Sequence, residues 1–304
     1  MNHALWIIWL ALAGLAALIG CSVGGLALYG AQLLIRRRQP DVLATPGDHG
    51  LPFKDVAFSS RDGLTLRGWF IPATARRGTV IFCHGHGGSM DPDVQYAPAF
   101  HERGYNVLMF DFRAHGRSDG DLVSMGSLEQ QDLLGAVDWL RSRGIQRVGV
   151  LGFSMGGRVA ISTAPQTEAI VAVISDGGPV TLLEAIAAGS RERGLPGFLA
   201  SLVARLTLWL AGRRVGCDLS QADAVHWASS LAPRALMLIH GGRDPYVSTS
   251  AVEALYAAAG EPKELWIVPD AGHRQVHEHC PGEYLERVIG FFDRYLAQDT
   301  GQAG

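Results

Sequence analysis

The sequence predicts an α/β architecture, a mostly parallel sheet with helices on both faces and a helical lid insertion, preceded by one N-terminal transmembrane helix. Three observations carry this. Residues 4–35 form 32 consecutive positions without Asp, Glu, Lys, Arg or His, and about 20 apolar residues already span a hydrocarbon core. Beyond them, short continuous apolar runs alternate with helix-length segments, as in a parallel sheet covered on both sides. The interval 175–234 breaks that alternation and reads as an insertion. A length of 304 residues corresponds to roughly two average domains, although α/β folds of about 250 residues often form one.

Composition narrows the classes further. Hydrophobic residues make up 48% and charged residues 18%, which excludes a disordered chain. The net charge of -3 gives no electrostatic footprint for nucleic acid. Cys21, Cys83, Cys217 and Cys280 contain no CxxC pair, so neither a zinc ribbon nor a disulfide scaffold is indicated. Isolated thiols are the default, with a Cys217 to Cys280 disulfide as the alternative in an oxidising compartment.

Taken in order, residues 1–38 form the expected membrane anchor. A buried core helix is the first alternative, but soluble helices seldom run this long without a polar face. A cleavable signal peptide is the second. Against it, residues 1–3 lack Lys and Arg, and the apolar run far exceeds the roughly 7–15 residues of a signal core. Leu18-Ile19-Gly20-Cys21 resembles a lipobox, yet the apolar continuation to Ile35 replaces the polar tether that lipidation at Cys21 would need. Arg36, Arg37 and Arg38 follow directly, and the positive-inside rule places the large C-terminal part in the cytoplasm. Gly20 and Gly24 make a GxxxG spacing, a match that a Gly-rich helix also produces by chance.

Residues 39–50, with Pro40, Pro46, Gly47 and Gly50, read as a linker, and residues 51–300 as the folded domain, with the lid at about 177–232. Runs at 56–59 and 64–71 flank Asp62-Gly63, a hairpin signal. Further strands are expected at 79–83, 107–110, 148–151, 170–174, 235–239 and 265–268, and helices at 128–143, 251–259 and 284–296. Within the insertion, residues 198–210 carry one charge, Arg205. Phe198, Leu202, Leu206 and Trp209 share one helical face there, and three readings stay open: packing on the sheet, lining an acyl pocket, or resting on a membrane surface.

The chemistry centres on Gly152-Phe153-Ser154-Met155-Gly156, placed between a strand and a helix as a nucleophile elbow requires. A serine needs a base and an orienting acid, which in this arrangement follow in the order Asp or Glu, then His. Asp244 and His273 each come just after an apolar run, at the sheet edge where Ser154 emerges. Asp176 and Asp270 are the competing acids, and Asp270 is too near His273 in sequence to reach the far side of its ring. For the oxyanion hole, the N–H of Met155 supplies one donor. The N–H of His86, in His84-Gly85-His86-Gly87-Gly88, is the expected second, with His84 organising the loop by hydrogen bonding. His277, His279 and Cys280 imitate a metal site but lack a second ligand cluster.

The ordered set DGLTLRGWFIP, CHGHGG, DFRAHGRSDG, GFSMGG, HGGRDPYV and AGH resembles the α/β-hydrolase superfamily. Within it, the chain is similar to membrane-anchored bacterial serine hydrolases near the prolyl-oligopeptidase-like and serine-aminopeptidase-like branches. The resemblance covers about residues 54–296. It implies an eight-stranded sheet, Ser154, Asp244 and His273 as the triad, and a structural turn at Asp111, Arg113, Gly116 and Ser118. His86 departs from the small polar residue frequent at this place, and the lid is unusually apolar.

Two functions of different class follow. One is a serine hydrolase that forms an acyl-enzyme and needs neither metal nor organic cofactor, with a small acyl ester, lipid-derived in one version, as its partner. Peptides and thioesters share this chemistry. The other is a non-catalytic, membrane-tethered binding protein on the same fold. It would be signalled by a missing triad member or a blocked elbow, and the sequence has neither.

Overall fold

The computed structural model describes residues 3–40, 43–75 and 77–297. The first two residues of the expected anchor, positions 41–42 of the expected linker and the end of the expected domain at 298–300 lie outside the described residues.

Eight strands form one sheet: β1 (Lys54–Ser59), β2 (Thr65–Ile71), β3 (Gly78–Cys83), β4 (Tyr105–Phe110), β5 (Val148–Phe153), β6 (Ile170–Asp176), β7 (Ala235–Gly241) and β8 (Lys263–Val268). Their order is β1-β2-β4-β3-β5-β6-β7-β8. β1 and β2 are the expected antiparallel hairpin, with Gly63 at φ 95° in its turn, a left-handed conformation that suits glycine. β2 meets β4 antiparallel, and from β4 to β8 all pairings are parallel. β5 and β7 are buried along their whole length, whereas the edge strand β8 is half-buried. Continuous apolar sequence therefore marks the strands with helices on both sides.

The helices are α1 (His3–Ile35), α2 (Ala97–Arg103), α3 (Glu129–Arg141), α4 (Met155–Thr163), α5 (Leu182–Glu192), α6 (Gly197–Val215), α7 (Thr249–Ala258), α8 (Val276–His279) and α9 (Pro281–Tyr295). Two cores result. Phe100 of α2 and Phe291 and Phe292 of α9 fill one face of the sheet, and Leu133, Val159 and Val252 of α3, α4 and α7 fill the other.

The insertion between β6 and β7 holds α5, α6 and two short 3₁₀ turns. Arg158 of α4 fastens it. Its guanidinium donates to the Leu219 carbonyl at 2.5 Å, to Asp223 at 2.7 Å and to the Met125 carbonyl, and Asp223 also accepts the Leu182 N–H at 2.8 Å. Helix α6 turns Ala200, Val203, Ala204, Thr207 and Ala211 inward. Phe198, Leu202 and Trp209 are exposed and Leu206 is half-buried. The face for which sheet packing, an acyl pocket and a membrane surface stayed open therefore looks outward, and the opposite, small-residue face lets α6 approach another helix closely.

That other helix is α1. Thr207 Oγ1 donates to the Ala27 carbonyl at 3.3 Å, and a Cβ at Gly30 would lie 3.0 Å from Thr207 Oγ1. Gly20 and Gly24, by contrast, face open space, so the close helix contact is made at Gly30 rather than at the GxxxG pair. One face of the inner half of α1 is embedded, with Ala27, Ala31 and Ile35 in the core and Leu26, Leu28 and Tyr29 exposed, while residues 5–19 are exposed all round. Nor does the chain detach at 38. Arg37 donates to the carbonyls of Gly116, Ser118 and Gly120, and Arg38 N–H to that of Ala114. Residues 39–50 include a 3₁₀ turn, Pro46–His49, with Pro46 buried.

Candidate active site

The fold brings the carboxyl ends of β3, β5, β7 and β8 to one edge. Ser154 follows β5 and opens α4 at φ 50° and ψ -114°, a backbone geometry that costs an L-residue on the order of 1–3 kcal/mol. Two glycines make the tight turn possible. A Cβ at Gly156 would lie 1.9 Å from the Cys83 carbonyl oxygen, and one at Gly152 would lie 2.4 Å from that of Gly156.

Asp244 lies in the loop after β7 and His273 in the loop after β8. Ser154 Oγ is 2.9 Å from His273 Nε2, and His273 Nδ1 is 2.6 Å from Asp244 Oδ2. The other oxygen of Asp244 accepts the N–H groups of Tyr246 at 2.8 Å and Val247 at 3.1 Å, which fixes the carboxylate's direction. The Tyr246 ring stands edge-on to the imidazole at 5.2 Å. With Nδ1–H donating to Asp244, Nε2 is left to accept the serine proton. This chain of contacts is what nucleophilic catalysis asks of a hydroxyl.

The competing acids are engaged elsewhere. Asp176 accepts from the Tyr284 hydroxyl at 2.8 Å, and its burial raises its pKa. Asp270 pairs with Arg243 at 2.6 Å on the surface. His277 packs against the rings of Tyr96 and Tyr284. Among the described residues no group of three or more His, Cys, Asp or Glu could hold a metal ion. The four cysteines are free thiols.

Two segments border Ser154, the start of α4 and the loop after β3. Met155 is the first residue of α4, and the first N–H groups of a helix have no partner within it. In the loop after β3, Gly85 packs so closely that a Cβ there would be 3.5 Å from Ser154 Cβ. His84 sets the loop's geometry. Its Nδ1–H donates to the Gly85 carbonyl at 2.7 Å, and its Nε2 accepts the Phe112 N–H at 2.9 Å. Burial pushes this ring's pKa down to about 4, so it is a neutral bracket and not a base. In a trans peptide C=O and N–H point oppositely, so holding the Gly85 oxygen on His84 turns the His86 N–H away from that ring.

Two features of the site escape sequence reasoning. Arg274, adjacent to His273 at φ 59°, pairs with Asp93 and lies over the Phe153 ring at 4.5 Å. Burial opposes its charge, but Asp93 and Asp176 more than compensate and raise its pKa. It thereby ties the histidine loop to the segment that follows the loop after β3. The only sequence signal was a charge beside each of two loops. The second feature is the side chain of His86, whose Nε2 is 2.8 Å from the carbonyl of Leu34 in α1.

The sequence profile of the alpha/beta hydrolase fold matches residues 78–224. The chain is 30% identical over 254 residues to the uncharacterised protein YfhR of Escherichia coli (strain K12), covering 78% of this chain and 80% of that protein. It is 30% identical over 225 residues to the uncharacterised protein Rv2307c of Mycobacterium tuberculosis, covering 72% of each. Among solved structures, the Pyrococcus furiosus esterase Pf2001 superposes with a TM-score of 0.71 at 30% identity, over 86% of this chain and 98% of that one.

Proposed function

Because the chain belongs to the alpha/beta-hydrolase superfamily, we propose that it is a membrane-anchored serine hydrolase that cleaves carboxylic acyl esters. The observation that carries the reading is the relay from Ser154 Oγ through His273 to Asp244, at 2.9 and 2.6 Å, on a strained elbow.

In this mechanism His273 Nε2 takes the Ser154 proton as Oγ attacks the ester carbonyl. The oxygen that gains charge accepts the N–H groups of His86 and Met155. Asp244 stabilises the imidazolium and holds its tautomer. His273 then protonates the departing alkoxide, leaving an acyl group on Ser154. Water, deprotonated by the same imidazole, releases the acid and restores the serine. The likeness to an esterase structure supports an ester over an amide.

A fluorophosphonate probe should label Ser154 in the full chain, and Ser154→Ala should lose both labelling and several orders of magnitude in turnover. Asp244→Asn should lower kcat about 10⁴-fold, with Asp176→Asn far milder. A folded Ser154→Ala protein with undiminished turnover would sink the assignment. A series of ester chain lengths then identifies the acyl group.

Anchoring is supported by the exposed apolar residues 5–19 of α1 and by the outward Phe198, Leu202 and Trp209 of α6. The catalytic domain would lie on the cytoplasmic side of a bacterial inner membrane, beside Arg36, Arg37 and Arg38. The full chain should stay with membranes through a high-salt wash, since apolar insertion is insensitive to ionic screening. Protease protection of the domain in spheroplasts tests the orientation.

A further inference from the structure

We propose that the C-terminal end of α1 is a working part of the oxyanion loop, with the imidazole of His86 as the positioning group that joins them. This rests on the reading of Ser154 as nucleophile and of the His86 N–H as an oxyanion donor.

A helix leaves its last four carbonyls without partners of its own, and burial makes each one costly. At the end of α1 all four are met. Gln32 O accepts the Arg36 N–H at 3.1 Å, Leu33 O accepts from Arg38 Nη2 at 2.6 Å, and Ile35 O accepts the Val123 N–H at 2.8 Å. The fourth, Leu34 O, is 2.8 Å from His86 Nε2. Protein packed around the ring, with Arg38 beside it, pushes the pKa of His86 down to about 3. The ring is therefore neutral, Nε2 carries the proton to Leu34, and the Arg38 guanidinium lies against the ring, its Nη2 3.1 Å from Nε2 and 3.5 Å from Nδ1. Arg38 is itself fixed, since its N–H donates to Ala114 O and its carbonyl accepts the Gly116 N–H.

The peptide between Gly85 and His86 is thus gripped from two sides. The His84 ring holds its carbonyl at 2.7 Å, and the His86 ring ties its nitrogen's own residue to α1 at 2.8 Å. A small polar side chain at 86 could not reach a helix carbonyl across that gap. Because an oxyanion donor acts on the transition state and hardly on the ground state, loosening the grip should lower kcat and leave KM nearly unchanged. Misplacement of a catalytic group by about 1 Å can cost roughly 10²-fold in rate.

The experiment compares His86→Leu, His86→Gln and Arg38→Met in the full chain in detergent, with kcat, KM, the affinity of a boronic acid transition-state analogue, and thermal unfolding. Leu keeps the bulk and removes the donor, so kcat and analogue affinity should fall together by 10- to 100-fold while KM moves less than threefold. Gln offers an amide N–H to Leu34 O and should recover most of the loss. Arg38→Met should lower kcat several-fold. Folded His86→Leu with wild-type kcat overturns the proposal, as does a Gln variant no better than Leu. If His86→Leu does not fold, wild-type kcat in Arg38→Met overturns it. Wild-type protein that a fluorophosphonate fails to label at Ser154 would instead remove the hydrolase reading, and this proposal with it.

Discussion

The outer and inner halves of α1 are built from the same kinds of residue, yet only the inner half has a face covered by protein. Residues 5–19 expose Leu, Ile and Trp all round, whereas Ala27 and Ile35 are sealed against α6 and the sheet core. Hydropathy reports that both halves must avoid water. It does not say whether lipid or protein will cover them. The difference lies in side-chain size at the contact, for Gly30 and Ala27 meet Thr207, and small residues let two helices approach closely.

Truncation should break this contrast most strongly. Deleting residues 2–38 removes Val23, Ala27, Ala31 and Ile35 from the core together with the Arg37 and Arg38 contacts, a loss on the order of 5 kcal/mol, comparable to the whole stability of a domain. A cooperative unfolding transition in denaturant should be lost. Deleting residues 2–17 should leave the midpoint and turnover in detergent unchanged, and equal effects from the two deletions would erase the distinction between the halves.

Acid should come next. Burial lowers the pKa of both His84 and His115 to about 4, with His84 adding to the shift at His115, and Arg38 bridges to His115 from the end of α1. The unfolded chain takes up protons near pH 6.5 that the folded rings refuse until about 4. Stability should therefore fall as pH drops through that window, by up to roughly 1.4 kcal/mol per pH unit for each ring. Denaturant midpoints at pH 7 and pH 5 check it, and His115→Asn should flatten the slope.

A smaller effect separates two glycines of the same helix. Gly30→Leu must push Thr207 aside and should cost about 1–3 kcal/mol, whereas Gly24→Leu meets open space and should be neutral in detergent. Smallest of all, Phe198→Ala should shift stability by less than about 0.5 kcal/mol and leave chain-length selectivity untouched, because that ring is 76% exposed. A selective loss with long-chain esters would return the residue to an acyl site.

Much of the fold was legible because the sheet's inner strands are apolar on both faces and are followed by turn residues, and the position of Ser154 was legible because Gly152 and Gly156 have no steric alternative. Long-range partnership was not. Nothing local marks Arg274 for Asp93 or His86 for Leu34, since those pairings exist only once separate loops share a sheet edge. Periodicity also found a face of α6 without giving its direction. The rule that large apolar residues point inward fails where the neighbour is a helix needing close approach and the outer medium need not be water. The expected linker at 39–50 is bracketed by hydrogen bonds because arginines after an apolar helix cap it as readily as they meet headgroups.

The contact between Ala27 and Thr207 joins residues 180 positions apart, and this sets a schedule for biosynthesis. At 5–20 residues per second, a ribosome that has finished α1 needs roughly 9–36 s more to make its helical partner. Throughout that interval the inner half of α1 has an apolar stripe with nothing to cover it. Until α6 exists, that stripe lacks the partner it has in the finished fold, so α1 docks onto the domain only after translation has passed Thr207. The order in which the two helices meet is therefore set by the rate of translation as much as by their affinity.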